Sequence, residues 1–447
     1  MPETPARKAL IDQALAEYRK RLETELPDDR ATLDAIETAV AKIQQEISRD
    51  LQRRLVDERT QTARDNRLPC ACGSQARFRD YQQRGVVTRH GEIAFVRPYY
   101  HCDRCGQGFA PLDQQLGLDA GNTTTQVRLW LAELAAHADF VDAATLLSHF
   151  TAVAVAAATV ERTAVGIGTA LRQAQRQRAQ EHQAGRLPVP AVKPQRLYFG
   201  MDGAMLPLRD PWKRDGSLGE LDCHFSECKL GVVYEAIPGE KGDVGVRQRA
   251  YVATLEGVEA FGPLFGALAH EQGQHLAKEG VGIGDGAPWI WQALAKQCPG
   301  LVEIVDFWHA SEHLWEVANA IFGAESAAAK AWVVARQEEL KRDQVRAVLR
   351  AIAAWKPNTT GLRKLRHTQF RYFRHNAERM RYGTFLKKGY HIGSGVVEAG
   401  CRQVICQRLD QAGMHWRAEN AEAILALRAA FLSTHPPDLR PYCAMPA

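Results

Sequence analysis

The chain has 447 residues, 45% of them hydrophobic and 24% charged, with a formal net charge of +5. That length predicts two to four domains of ordinary globular composition. The longest apolar run, residues 151–160, is Ala-rich and far shorter than the ~20 residues a membrane span needs, which excludes a membrane-spanning class. The first residues, MPETPARKAL, carry no apolar signal core. Ten cysteines in so long a chain do not make a secreted disulfide framework, so a reducing, cytoplasmic setting is expected.

Residues 1–65 read as an N-terminal helical region. Leu10, Ala14, Tyr18 and Leu22, then Ile36, Val40, Ile43, Ile47, Leu51 and Leu55, recur every three or four positions, the period of an amphipathic helix. Pro27-Asp28-Asp29 divides the pattern into two helices. The stripe serves helix packing and self-association, or an arm that touches DNA.

Residues 66–115 read as a zinc ribbon. Cys70-Ala-Cys72 and Cys102-Asp-Arg-Cys105 flank short alternating strands predicted at 76–81, 85–89 and 92–99. Four thiolates satisfy a tetrahedral, structural Zn²⁺ with no position left open. The second pair has the favoured two-residue spacing and a following Gly106, whereas the first has a single intervening residue. Unrelated free thiols are the alternative. Four cysteines leave no need for His90 or His101 as ligands.

Residues 116–187 predict a helix-turn-helix DNA-binding domain. Helices fall at 123–134, 140–150 and 156–171, with a break at 151–155 and a polar, basic extension over 173–186. Thr159 and Arg162, at the start of the third helix, are the candidate DNA contacts. A plain helical bundle is the alternative. Pro188, Pro190 and Pro194 make a stiff linker and a domain boundary.

Residues 195–310 and 391–432 read as one α/β domain. A strand at 196–201 ends on Asp202. Strands follow within 223–236 and 248–255, then a helix at 258–278. A strand at 281–284 ends on Asp285, Pro288 opens a helix that runs to 296, and a strand at 301–305 ends on Asp306. This β-β-β-α-β-α-β order is that of the ribonuclease H-like fold. The glycines at 280–286 are not a dinucleotide-binding loop, because they do not follow the first strand. Residues 311–390 are an all-α insertion, with helices at 311–322, 327–342 and 344–355. Gly393-Ser394-Gly395 then precedes a helix with Glu398 in its first turn. Residues 433–447 form a Pro-rich tail expected to fray.

Asp202, Asp285 and Glu398 form the chemical constellation. The first and fourth strands of such a sheet are neighbours, so the two aspartates would lie side by side with the Glu398 helix across their ends. Three clustered carboxylates raise one another's pKa. Two Mg²⁺ or Mn²⁺ ions would relieve that repulsion and suit phosphoryl chemistry. Asp285 and Asp306 also have a plainer reading, as caps of the helices they precede (Asp306 pairing with His309), and Glu398 as a carboxylate at ease with its helix dipole.

The motifs Gly200-Met-Asp202-Gly203, Gly284-Asp285-Gly-Ala-Pro-Trp-Ile-Trp291, Asp306-Phe-Trp-His309-Ala-Ser-Glu-His313 and Gly393-Ser-Gly-Val-Val-Glu398 resemble a known family. So does the run from Arg408 to Trp416. The likeness is to DDE transposases of bacterial insertion sequences in the Mutator-related group, closest to the ISKra family. It covers residues 196–432, and the N-terminal third more loosely. It implies that Asp202, Asp285 and Glu398 are the catalytic, metal-holding triad, with Asp306 and His309 beside them. Ile405 stands seven residues after Glu398, where several such enzymes carry a basic residue, so Arg402 and Arg408 are the candidates for that role.

The implied activity is binding of element ends, metal-dependent DNA cleavage and strand transfer. The implied partners are double-stranded DNA (transposon ends and target) and further copies of the chain, as a homodimer or higher oligomer, at the nucleoid. A DNA-binding regulator with an inactive transposase fold and a related nuclease are the rivals.

Residues 363–388 interleave cations with aromatics. Arg371, Arg374, Arg381, Lys387 and Lys388 are expected to meet phosphates, with Phe370, Tyr372, Phe373, Tyr382 and Phe385 free to stack on unpaired bases. A solvated charged face is the alternative. Glu312 and His313 read as helix surface, and Cys401 and Cys406 as core residues on different sides of one helix.

Overall fold

The computed structural model describes residues 5–25, 30–60, 65–118, 121–209, 223–238 and 244–443. The expected helix break at Pro27-Asp28-Asp29 lies outside them. The chain divides into two compact units, Met1–Ala170 with Asp438–Ala447, and Leu171–Pro437. The division falls inside one long helix rather than at the proline linker.

The first unit begins with α1 (Pro5–Glu25) and α2 (Leu33–Thr60). Ion pairs from Arg21 to Glu46 and from Arg54 to Glu17 tie the two helices together. An antiparallel sheet follows in the order β1 (Arg67–Pro69), β2 (Gln75–Thr88), β3 (Gly91–His101), β4 (Gly108–Phe109). The two strands expected at 76–81 and 85–89 are one. Gln82, Gln83 and Arg84 read as a break because they are polar, yet they pair with Arg97, Val96 and Phe95. In a ribbon wetted on one side, polar residues do not end a strand. Val86, Ile93 and Phe95 form its core with Leu112 of α3 (Pro111–Gln115) and Val56 of α2. Then come α4 (Thr125–His137), α5 (Phe140–Phe150) and α6 (Ala157–Gln183), of which the first unit holds α6 only as far as Ala170. The α5 span is the one its periodicity predicts, and Asp139 caps it through the Val141 and Asp142 amides.

The second unit centres on a five-stranded sheet of β5 (Arg196–Arg209), β6 (Cys223–Pro238), β7 (Val244–Thr254), β8 (Glu279–Gly284) and β9 (Val302–Val305). Their order is β7-β6-β5-β8-β9; β5, β6 and β7 pair antiparallel, while β8 runs parallel to β5 and to β9. The returns are α7 (Val258–Glu271) and α8 (Pro288–Gln297). The helix expected at 258–278 stops at Glu271. Gly273 takes a φ of 82°, which ends the helix, and β8 starts at Glu279.

Two glycines let helices approach the sheet from opposite faces. A Cβ on Gly231 would meet the Phe265 ring of α7, and one on Gly200 would meet Val397. Gly200 pairs with Val232 and Met201 with Gly231, so the two glycines point to opposite sides.

From β9 the chain enters helices α9 (Phe307–Phe322), α10 (Ala327–Lys341), α11 (Val345–Ala354), α12 (Thr360–His375) and α13 (Tyr382–Lys387). It returns as α14 (Gly395–Gly400), a π-helical turn (Cys401–Cys406), α15 (Gln407–Leu409) and α16 (Ala418–Leu432). The tail is expected to fray, but its described part, 433–443, carries α17 (Arg440–Cys443), with Leu439 and Cys443 only 4% and 2% exposed, packed on α4. Among the described residues no helix is long and apolar enough to cross a membrane.

Candidate active site and metal centre

The four cysteines converge. Cys70 and Cys72 follow β1, and Cys102 and Cys105 follow β3. Each turn closes on a glycine in the left-handed region, Gly73 at φ 80° and Gly106 at 71°, whose amides bond back to the Cys70 and Cys102 carbonyls. The sulfurs of Cys70 and Cys105 are 3.6 Å apart, those of Cys72 and Cys102 are 3.7 Å apart, and all four lie within 4.8 Å of one another. Thiolates around a tetrahedral zinc sit about 3.8 Å apart, given Zn–S bonds of about 2.3 Å. The cluster can therefore bind a metal such as zinc. Amides of Cys105 and Arg104 hold the Cys102 thiol down to about 6. At Cys70 the Cys72 amide is outweighed by burial and the neighbouring thiols, which push that thiol up to about 12.

The three carboxylates come from three elements. The expectation that Asp202 ends its strand is corrected: β5 runs on to Arg209 because β6 keeps pairing with it. What ends near Asp202 is the parallel pairing, whose last partners are Gly200 and Ile283. Asp285 follows β8 directly. Glu398 sits in α14, exposed. Asp202 is half-buried, and its pKa is raised by burial, with the charges of Asp285 and Glu398 adding to the rise. The Gly203 amide and the Cys401 thiol, which donate to Oδ1 and Oδ2 at 2.7 and 3.5 Å, partly offset it.

Local bonds occupy one oxygen on each of the other two acids: Asp285 Oδ1 accepts from the Ala287 amide at 2.7 Å, and Glu398 Oε1 from the Ser394 hydroxyl at 3.0 Å. Asp285 Oδ2 and Glu398 Oε2 accept no hydrogen bond within the described residues. Neither bond is a helix cap, since α8 and α14 take no side-chain cap at Ala287 or Ser394. The remaining donors are hard oxygens, the kind that Mg²⁺ or Mn²⁺ takes. Among the described residues only the four thiols gather within 4.8 Å of one another, so the carboxylates stand wider than that.

Asp306 does a different job. It is 0% exposed and caps α9 by accepting from the His309 amide at 2.6 Å. Its second oxygen accepts from the Ser394 amide. Its own amide donates to Gly284 O at 2.8 Å, and the Phe307 amide donates to Ile392 O at 2.9 Å. Asp306 thus fastens the loop before Glu398 to the ends of β8 and β9. His309 is partly exposed and lies 3.3 Å from Glu312.

Several expectations fail on burial. Arg408 is 1% exposed, with its guanidinium over the Trp416 ring, so it cannot clamp a phosphate. Its motif braces β5 instead, since the Arg209 amide bonds to Trp416 O and the Trp416 amide to Pro207 O. Arg402 is exposed and remains available. Phe373, Tyr382 and Phe385 are core residues, not stacking platforms. Tyr372 donates its hydroxyl to Asp285 O at 2.8 Å and packs against His313, ring centroids 3.8 Å apart, so His313 is not helix surface either. Arg371, Arg374, Arg381, Lys387 and Lys388 are exposed, as is Arg162, while Thr159 is half-buried. The π-helical turn puts Cys401 and Cys406, five residues apart, on the same side of the helix rather than different sides.

Sequence reasoning missed Tyr372, Ser394 and Cys401 as neighbours of the acids. Only Ser394, between two glycines, carried any local signal. A family model described as Uncharacterised protein family (UPF0236) matches residues 26–223. That span takes in the four cysteines and Asp202 and stops short of Asp285 and Glu398. No curated protein matches the chain.

Proposed function

We propose that the chain is a metal-dependent DNA transposase with a ribonuclease H-like catalytic domain. One observation carries this reading. Asp202 on β5 and Asp285 just past the end of β8 follow neighbouring parallel pairing, and the Glu398 helix lies against β5 at Gly200; after burial, the charges of both acids add to the rise in Asp202's pKa. The first strand of the sheet, β5, also lies beside the fourth, β8, which supports that reading.

Asp202, Asp285 and Glu398 would hold two Mg²⁺ or Mn²⁺ ions. Bound there, the ions would activate a water or a 3′-hydroxyl and stabilise the leaving oxygen of an in-line displacement. The chain's own part is to aim the acids: Asp306 pins the Glu398 loop, and Tyr372 pins the backbone of Asp285. The thiol cluster, the helices α4 to α6 and the exposed cations of α12 and α13 are the candidate DNA-binding parts. Self-association on DNA through α1 and α2 belongs to the same reading.

The test is a cell-free assay with the element's own ends, target plasmid and Mg²⁺ or Mn²⁺. Cleavage and joining of ends support a transposase. Cleavage without joining indicates a nuclease, and binding with no cleavage indicates a regulator.

A further inference from the structure

A cleft of about 480 Å³ lies between the start of α8 and the end of α12, lined by Gly286, Gln292, Arg371, Tyr372, His375 and Arg379 among others. No carboxylate lines it. Arg379 is fixed over the Trp291 ring at 4.6 Å and by Glu303 at 2.6 Å, so much of its charge is answered. Arg371 is exposed and makes no ion pair within the described residues. The cleft therefore offers an unmatched guanidinium beside an imidazole and a second, fixed guanidinium. Its wall is Tyr372, the side chain whose hydroxyl holds the Asp285 carbonyl. Its floor is Gly286, at φ 101°, where a Cβ would come 2.8 Å from the Tyr372 ring. An occupant would thus sit one residue from a candidate metal-holding acid, against backbone that admits no side chain.

We propose that this cleft takes a backbone phosphate of the DNA strand next to the bond being cut, with Arg371 as its main contact and His375 and Arg379 as supports. The proposal rests on the transposase reading and adds a substrate contact that fixes where the strand lies relative to Asp285. A free phosphate or nucleotide shares the same chemistry, so the experiment separates the two sources.

Two exposed positions on opposite walls serve as probes: Arg371→Ala removes the cation, and Gln292→Glu adds a carboxylate. Binding of the full chain to a plain 30-base-pair duplex is read by fluorescence anisotropy across salt concentrations, with and without inorganic phosphate. Removing one phosphate contact should lower the slope of log affinity against log salt by about 0.9 and weaken binding about fivefold near 0.1 M salt. Gln292→Glu should weaken binding at least as much, and Arg371→Lys should restore part of it. In a cleavage assay both variants should raise KM for DNA, and Arg371→Lys should bring it part of the way back.

Unchanged affinity and slope in both variants, with Asp285→Asn still abolishing cleavage, would overturn the cleft proposal and leave the transposase reading standing. Loss of phosphate binding with no effect on duplex binding would also overturn it, by assigning the cleft to a free anion. Failure of cleavage in the parent protein with all metals would fall on the transposase reading instead.

Discussion

Asp202 is the residue whose chemistry is most exposed to test. Its folded pKa lies above its unfolded one, chiefly through burial. The stability it contributes is therefore complete below the unfolded carboxyl pKa and is lost as pH rises through the folded value. In magnesium-free buffer, thermal stability should fall as pH climbs across that interval, and Asp202→Asn should flatten the fall. A parallel decline in the variant would remove Asp202 as its source. The same substitution, like Asp285→Asn and Glu398→Gln, should abolish cleavage and strand transfer while duplex binding persists, as a gel shift beside the cleavage assay would reveal. Asp306 differs because its neighbours lose partners when it goes. Asp306→Ala leaves the Ser394 and His309 amides without acceptors, at a cost of about 2–4 kcal/mol. Activity should fall through release of the Glu398 loop. Calorimetry showing no loss of stability would contradict the clamp.

At the scale of elements, the ribbon and the sheet differ in what holds them. The turns bearing Cys70, Cys72, Cys102 and Cys105 pack only Ala76, Tyr100 and a few partly buried side chains between them. So small a core contributes little, and a bound metal would supply much of the folding energy. Cys105→Ser should drop the metal content of the purified protein to near zero and raise hydrogen exchange in β1 to β4. Full protection in those strands without metal would mean the hairpin stands alone. In the sheet, Gly200→Ala would drive a methyl into Val397 and push the Glu398 helix off β5. Cleavage should suffer more than melting temperature, and the reverse order would make Gly200 a packing residue only.

For the molecule as a whole, the division at Ala170 and Leu171 assigns the thiol cluster to one unit and the three acids to the other. A zinc chelator should therefore speed exchange in β1 to β4 and leave β5 and β8 protected. Local patterns were legible in the sequence. The period of α5, the proline that opens α8 and the spacing of the cysteines each depend on a few adjacent residues. What depends on distant partners was not legible. β5 continues past Asp202 because β6 returns alongside it. Arg408 looked like a surface cation until Trp416 and the chain around it enclosed it. The aromatics of α12 and α13 looked available because nothing nearby in sequence says which face a helix buries. Asp202, Asp285 and Glu398 were readable as a set only through motifs, since nearly two hundred positions separate the first from the last.

The π-helical turn after Glu398 has a reason in Arg428. This buried side chain from α16 donates to Val404 O at 2.7 Å and also to Gln403 O, claiming carbonyls that a regular helix would use itself. Burial, then the neighbouring Arg408, brings its pKa down to about 10, which leaves it charged at neutral pH. The segment therefore encodes an angle in its helix type. Substituting exposed Arg402 changes chemistry but not phase, whereas Arg428→Ala would let the same residues close as an ordinary helix and turn Glu398 by about 100° about its axis. A change at a position thirty residues from Glu398 would disarm the site while every residue around the acids stayed the same.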